Sequence, residues 1–194
     1  NAVADEWVGI TPGTDGLFIL AQVHEVLKAG KIDLHYLAQY TNAPVLIDAD
    51  TGLLMRDADG KLLVIDRVQG APAPFDQPGV KPDLNGTLEK DGKTHHTVFH
   101  AMVERYLSPE YEPEAVAERV GVSAGRIRAI AAEITRVAFE EAFDIDQKWT
   151  DFRGEVNPKM TARPVSMHAM RGISAHSNGF QTCRALHVLQ ILLG

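Results

Sequence analysis

Two polar stretches of this chain combine glycine, a charged side chain and a following helical pattern, the combination that receives anionic ligands. The first is Pro12-Gly13-Thr14-Asp15, after the apolar run at 7–11. A glycine turn that leads into a helix leaves the first N–H groups without intrahelical partners, at the positive end of the helix dipole. Asp15 would repel a phosphate set directly on that end. A carboxylate is instead suited to accept two hydrogen bonds from the N1–H and amino group of a guanine, so the stretch can hold the base end of a nucleotide. The same aspartate is also an ordinary dipole-compensating residue of a first turn. The second stretch is 167–179, MHAMRGISAHSNG. Arg171 can pair a phosphate there, and Ser174, His176, Ser177 and Asn178 offer neutral hydrogen-bonding groups. Asn178-Gly179 is equally an ordinary turn. Two strand-to-helix loops of this kind, one near each end of the chain, can converge on one ligand at the carboxyl edge of a sheet.

Other clusters carry less. His96 and His100 lie one helical turn apart and Glu104 follows a turn later, but no His-Glu-x-x-His core is present, so a solvated helix face is the expectation. Asp48-x-Asp50-x-Gly52 lacks the further ligands of a calcium loop and reads as a hairpin turn. Cys183 falls inside an apolar helical pattern, as a small buried hydrophobe does. No Walker loop or nucleophile elbow occurs. No catalytic residue and no metal ligand is assigned.

The elements that must position the two stretches follow from periodicity. Val8 and Ile10 give a short strand, Thr14 caps a helix that starts at Asp15, and Lys28 with Gly30 ends it. A short helix over 31–40 precedes a meander of strands at 45–48, 53–56 and 62–66. Residues 70–92, rich in proline and glycine, read as one long surface loop. Helices are expected over 97–107, 113–120 and 124–143, with Pro113 in a first turn, Gly121 as a stop and Ser123 as a cap. The span 149–159 reads as irregular, 163–169 as a strand and 179–193 as a helix. Residues 1–194 are thus expected to be a single α/β domain, a fragment of a Rossmann-like three-layer domain with an inserted β-hairpin or meander segment.

Composition narrows the partners. The formal net charge of −7 opposes general nucleic-acid binding. No apolar run is long enough for a membrane-spanning helix. A single cysteine excludes an internal disulfide and a cysteine-ligated iron–sulfur cluster or zinc site within these residues. Both ends read as cut, so the chain is expected to be a piece of something longer.

Taken together, four segments resemble the molybdopterin oxidoreductases of the dimethyl sulfoxide reductase type. They are ADEWVGITPGTDGLFILAQVHEVLKAG, YLAQYTNAPVLID, YEPEAVAERVGVSAGRIRAIAAEI and MHAMRGISAHSNGFQTCRALHVLQILLG, in the family's order and over most of the chain. The pairing of the Pro-Gly-Thr-Asp turn with the Ala-His-Ser-Asn-Gly loop is more specific than either alone. The hairpins of TNAPVLIDADTGLLMRDADG and the closing segment look most like the thiosulfate, polysulfide and sulfite-oxidising branch.

The resemblance implies a catalytic subunit several times longer, which holds molybdenum or tungsten between two molybdopterin guanine dinucleotides. It implies that Gly13, Thr14 and Asp15 touch one guanosine end, and that Arg171, Gly172, Ser174, Ala175 and His176 lie against the cofactor. Some relatives carry Met where Arg171 stands and Gln where Ala175 stands, which leaves backbone contacts at those two positions. The family's iron–sulfur cysteines lie upstream, and its metal-ligating residue and C-terminal domain fall outside these segments. The resemblance therefore implies that the 194 residues alone are inactive and retain no cofactor. Implied partners are the remaining domains of the parent chain, with a membrane anchor subunit plus a ferredoxin-like iron–sulfur subunit, and no direct membrane insertion here. The compartment depends on a leader that would lie upstream, with the cytoplasm as default. The rival expectation is a free-standing α/β nucleotide-binding or protein-interaction module without redox activity.

Overall fold

The computed structural model describes residues 4–194. Its elements run, in chain order, α1 (Asp15–Lys28), α2 (Leu34–Tyr40), β1 (Leu46–Asp48), β2 (Leu63–Asp66), β3 (Ala71–Pro74), β4 (Thr87–Lys90) and β5 (Lys93–Thr97). They continue with α3 (Val98–Tyr106), α4 (Pro113–Val120), α5 (Ala124–Glu140), β6 (Phe143–Ile145), β7 (Trp149–Thr150), β8 (Val156–Asn157), β9 (Met160–Ala162) and α6 (Gly179–Leu193). The chain divides into two compact units. Unit 1 comprises 1–32, 106–142 and 163–193, and unit 2 comprises 33–105, 143–162 and residue 194.

Unit 1 is helical. α1 carries apolar residues around most of its circumference and buries Ala21, Val23 and Val26 almost completely, as a helix surrounded by neighbours must. Ala21 packs with Val116 and Val120 of α4, Val122, and Ile127 of α5, and Val8, Ile10, Leu17 and Phe18 close over that cluster. The punctuation expected from sequence holds here. Pro113 opens α4. Gly121 ends it at φ +77°, and Ser123 Oγ accepts from Arg126 N–H at 3.3 Å to cap α5. α5 stops at Glu140 rather than at 143. The buried His24 of α1 donates from Nδ1 to the Tyr106 carbonyl at 3.0 Å.

Unit 2 is built of short antiparallel pairings. β1, β5 and β4 form a three-stranded sheet in that order, and β2 pairs with β3, β6 with β9 and β7 with β8. Val45, Val64, Ala73 and Val80 form its core, flanked by Leu62, Phe75 and Val98. Three expectations are corrected. The span 70–92 contains β3 and β4, and the irregular span 149–159 contains β7 and β8. The 53–56 strand reduces to single bridges, Leu54 to Ile47 and Arg56 to Leu62.

Helix and sheet are thus mixed as expected, but every strand pairing among the described residues is antiparallel and lies in unit 2. The parallel sheet of a Rossmann-like arrangement is not formed by these residues. Its two expected strands are extended chain instead. Residues 7–11 carry no ladder and attach through Thr11 N–H to the Val120 carbonyl at 2.8 Å, and 163–169 pair with no strand.

Candidate functional site

Both polar stretches belong to unit 1. Gly13 sits at φ +83°, and nothing lies within 4 Å of where a Cβ would stand. Glycine is required there by the turn, not by crowding within the chain. Thr14 holds the N-cap position of α1 without capping it. Its hydroxyl donates back to the Thr11 carbonyl at 2.7 Å and its N–H reaches the same oxygen at 3.2 Å. The expected Thr14 side-chain cap is therefore corrected: the threonine closes the Pro12-Gly13 turn, and the first N–H groups of α1 carry no side-chain cap. Asp15, the first residue of the helix, is half-buried, and no described residue hydrogen-bonds or pairs with its carboxylate.

The second stretch replaces the expected strand end with a tight turn. Arg171–Ser174 forms a 3-10 turn in which Ile173 N–H donates to the Met170 carbonyl at 3.1 Å, and Ser174 Oγ donates to the Arg171 carbonyl at 3.0 Å. Ala175 N–H donates to the Gly172 carbonyl at 3.2 Å, and Gly179 N–H to the His176 carbonyl at 3.0 Å. Arg171, Gly172, Ser174, Ala175 and His176 are all exposed. Neither the Arg171 guanidinium nor the His176 ring engages a described residue. A Cβ on Gly179 would fall 2.1 Å from the Ser174 carbonyl oxygen, so only glycine lets the loop fold back on the start of α6.

The two stretches meet through their helices. Gly16, the second residue of α1, lies against Thr182 in the first turn of α6, where a Cβ would approach Thr182 Oγ1 to 2.8 Å. Asp15 on one helix and the 171–178 loop on the other are thereby held at the starts of two packed helices. The adjacency of these two helix starts arises from helix packing, not from the carboxyl edge of a sheet. Gly16 and Thr182 carry no sequence motif. The available signal was a glycine early in an apolar helix, which costs stability relative to alanine unless another backbone or side chain approaches closely.

The remaining polar clusters sit elsewhere. His95 and His96 belong to β5 and His100 to α3, correcting the single helix face expected for them. The His96 and His100 rings stand 4.7 Å apart at 31°. No group of three or more His, Cys, Asp or Glu among the described residues is arranged to hold a metal ion. Cys183 is half-buried in α6. No helix of the described residues is long and apolar enough to cross a membrane.

No family model matches the chain. Individual proteins do. A sulfite dehydrogenase subunit of Allochromatium vinosum is 40% identical over an alignment that covers all of this chain and 21% of that protein. This chain belongs to the molybdopterin oxidoreductases. Two other relatives in the family are a putative dimethyl sulfoxide reductase catalytic subunit of Halobacterium salinarum, 34% identical over 66% of the chain, and the alpha subunit of dimethylsulfide dehydrogenase from Rhodovulum sulfidophilum, 24% identical over 69%. The chain spans 16% of the length of each. Relative to the curated proteins it matches, it is therefore about a fifth of their length or less.

Proposed function

We propose that this chain is an internal cofactor-cradling segment of a longer molybdenum or tungsten oxidoreductase with bis-molybdopterin guanine dinucleotide, acting on inorganic sulfur oxyanions. The observation that carries the proposal is the juxtaposition just described: uncommitted Asp15, Arg171 and His176 at the starts of two helices that touch at Gly16 and Thr182. These residues fit the group chemically. Asp15 is an acceptor suited to the N1–H and amino group of guanine, Arg171 a bidentate donor for a phosphate, and the uncapped first turn of α1 a source of N–H donors. Gly13 and Gly172 let backbone approach without a side chain between, and Ser174, Ala175 and His176 line the opposite loop. The bound metal-pterin group would supply two-electron redox and oxygen-atom transfer chemistry, which no side chain here can supply.

Sulfite is the preferred substrate, because the sulfite dehydrogenase subunit is 40% identical over the whole chain. Thiosulfate and polysulfide share the tetrahedral or chain sulfur chemistry of the same branch, and formate is less favoured. The parent is proposed to carry an upstream iron–sulfur cluster and to assemble with a membrane anchor subunit plus a ferredoxin-like iron–sulfur subunit. The 194 residues alone are proposed to be inactive. Purified full-length parent should contain molybdenum or tungsten together with pterin, released as a fluorescent oxidation product, and should oxidise sulfite with an artificial acceptor. A folded parent free of metal and pterin would overturn the reading, and turnover by the purified 194-residue chain would overturn the claim of inactivity.

A further inference from the structure

The contact between α1 and α6 is tighter than a helix pair with side chains at both positions allows. A Cβ on Gly16 would stand 2.8 Å from Thr182 Oγ1, 3.5 Å from its Cα and 3.6 Å from its Cβ. Thr182 cannot easily turn away. It is 3% exposed, its β-branched side chain is stiff about χ1, and its hydroxyl donates to the Asn178 carbonyl at 3.2 Å. The Thr182 N–H donates to the same carbonyl at 3.0 Å. Thr182 is therefore tied to the last residue of the 171–178 loop while it abuts the residue next to Asp15. The loop's shape is fixed in turn by Gly179, seated under the Ser174 carbonyl, and by Ser174 Oγ on the Arg171 carbonyl.

We infer that Gly16 and Thr182 are positioning residues, a spacer that sets the separation of Asp15 from the Arg171 loop and through it the retention of the pterin cofactor. The inference rests on the cradle reading above. It follows from rigidity: packed helices do not deform continuously, so a methyl group at position 16 must push the start of α6, with its loop, away from Asp15. A displacement on the order of 1 Å takes a hydrogen bond out of its working range, so contacts that span the two helix starts are lost.

The test is made on full-length parent, with pterin and metal content per chain and melting temperature as readouts. Gly16→Ala should lower pterin and metal content about tenfold, as loss of one hydrogen bond to a charged group does. Thr182→Ala, which leaves a gap, should lower them less. The Gly16→Ala/Thr182→Ala double variant should restore them, because the new methyl fills the space of the lost hydroxyl while the backbone N–H of residue 182 still holds Asn178. Gly16→Ala/Thr182→Val keeps a β-branched side chain of the same shape and should not restore them. Should Gly16→Ala be insoluble, the double variant is compared with Thr182→Ala and must hold more pterin. Full content in Gly16→Ala, or a double variant no better than its comparator, overturns the spacer. Asp15→Ala is measured alongside: if it loses cofactor while Gly16→Ala does not, only the spacer falls, and if both retain cofactor the cradle reading falls with it.

Discussion

Asp15 of unit 1 contrasts with four aspartates of unit 2, Asp48, Asp57, Asp66 and Asp151, which are held by backbone N–H groups. Asp48 accepts from the N–H groups of Asp50 and Thr51 and from Lys93 Nζ at 2.7 Å. Asp57 accepts from Asp59 and Lys61, Asp66 from Val68 and Lys81, and Asp151 from Arg153 and Glu155, all through backbone N–H. These side chains are consumed by the local competition between side chain and backbone that makes aspartate a turn residue. In unit 1 Asp15 has no such partner, because the Gly13 turn is closed by Thr14 instead. The difference separates aspartates that the fold uses from Asp15, which no described residue engages.

The largest effect is expected in the loop that precedes α6. Gly179→Ala drives a Cβ into the Ser174 carbonyl and should destabilise the chain by about 3 kcal/mol in urea unfolding, at the upper end of overpacking effects. An unchanged midpoint would mean that the 171–178 loop is not held as described. The next test lies in unit 2. The Lys93 ammonium, then the Thr51 and Asp50 N–H groups, hold the Asp48 carboxyl well below the usual carboxylate range. Because the folded pKa is depressed below the unfolded value of about 3.9, the stability contributed by Asp48 is present above that pH and is lost as pH falls toward the folded value. Asp48→Asn should therefore flatten the acid limb of stability below about pH 4, measured by urea midpoints across the acid range; an unaltered limb contradicts a structural role. The smallest effect sharpens the argument about glycine. Gly125, in the first turn of α5, has open space where a Cβ would stand, and Gly125→Ala should stabilise by about 0.5 kcal/mol. A loss there would show that the contrast with Gly16 and Gly179 is not steric.

How far the sequence alone could go differs between the units for physical reasons. The helices of unit 1 were legible because long apolar periodicity and their end signals agree: Pro113, Gly121 and Ser123 stand where expected. The two polar stretches stand out in the sequence by residue type, but the contact between the starts of α1 and α6 does not, since Gly16 and Thr182 are far apart in sequence and belong to no motif. The ribbons of unit 2 were largely illegible. β6, Phe143-Asp144-Ile145, is too short for its alternation to register as a strand signal, and it is exposed at all three positions. β3 is Ala-Pro-Ala-Pro, a sequence that reads as loop because proline donates nothing to a ladder, yet it pairs with β2 as an edge strand. The 7–11 run was apolar enough to read as a strand, but its apolar side chains Val8 and Ile10 pack on the α4 and α5 cluster instead.

On the proposed reading Asp15 serves a ligand, whereas Asp48 serves the fold. Pterin and guanine content of full-length parent, measured in Asp15→Ala and Asp48→Asn side by side, tests it most directly. The account predicts about tenfold less of both in Asp15→Ala, as expected for loss of a charged hydrogen-bonding group, and content close to the parent's in Asp48→Asn. Equal content in the two variants, or loss confined to Asp48→Asn, would contradict it.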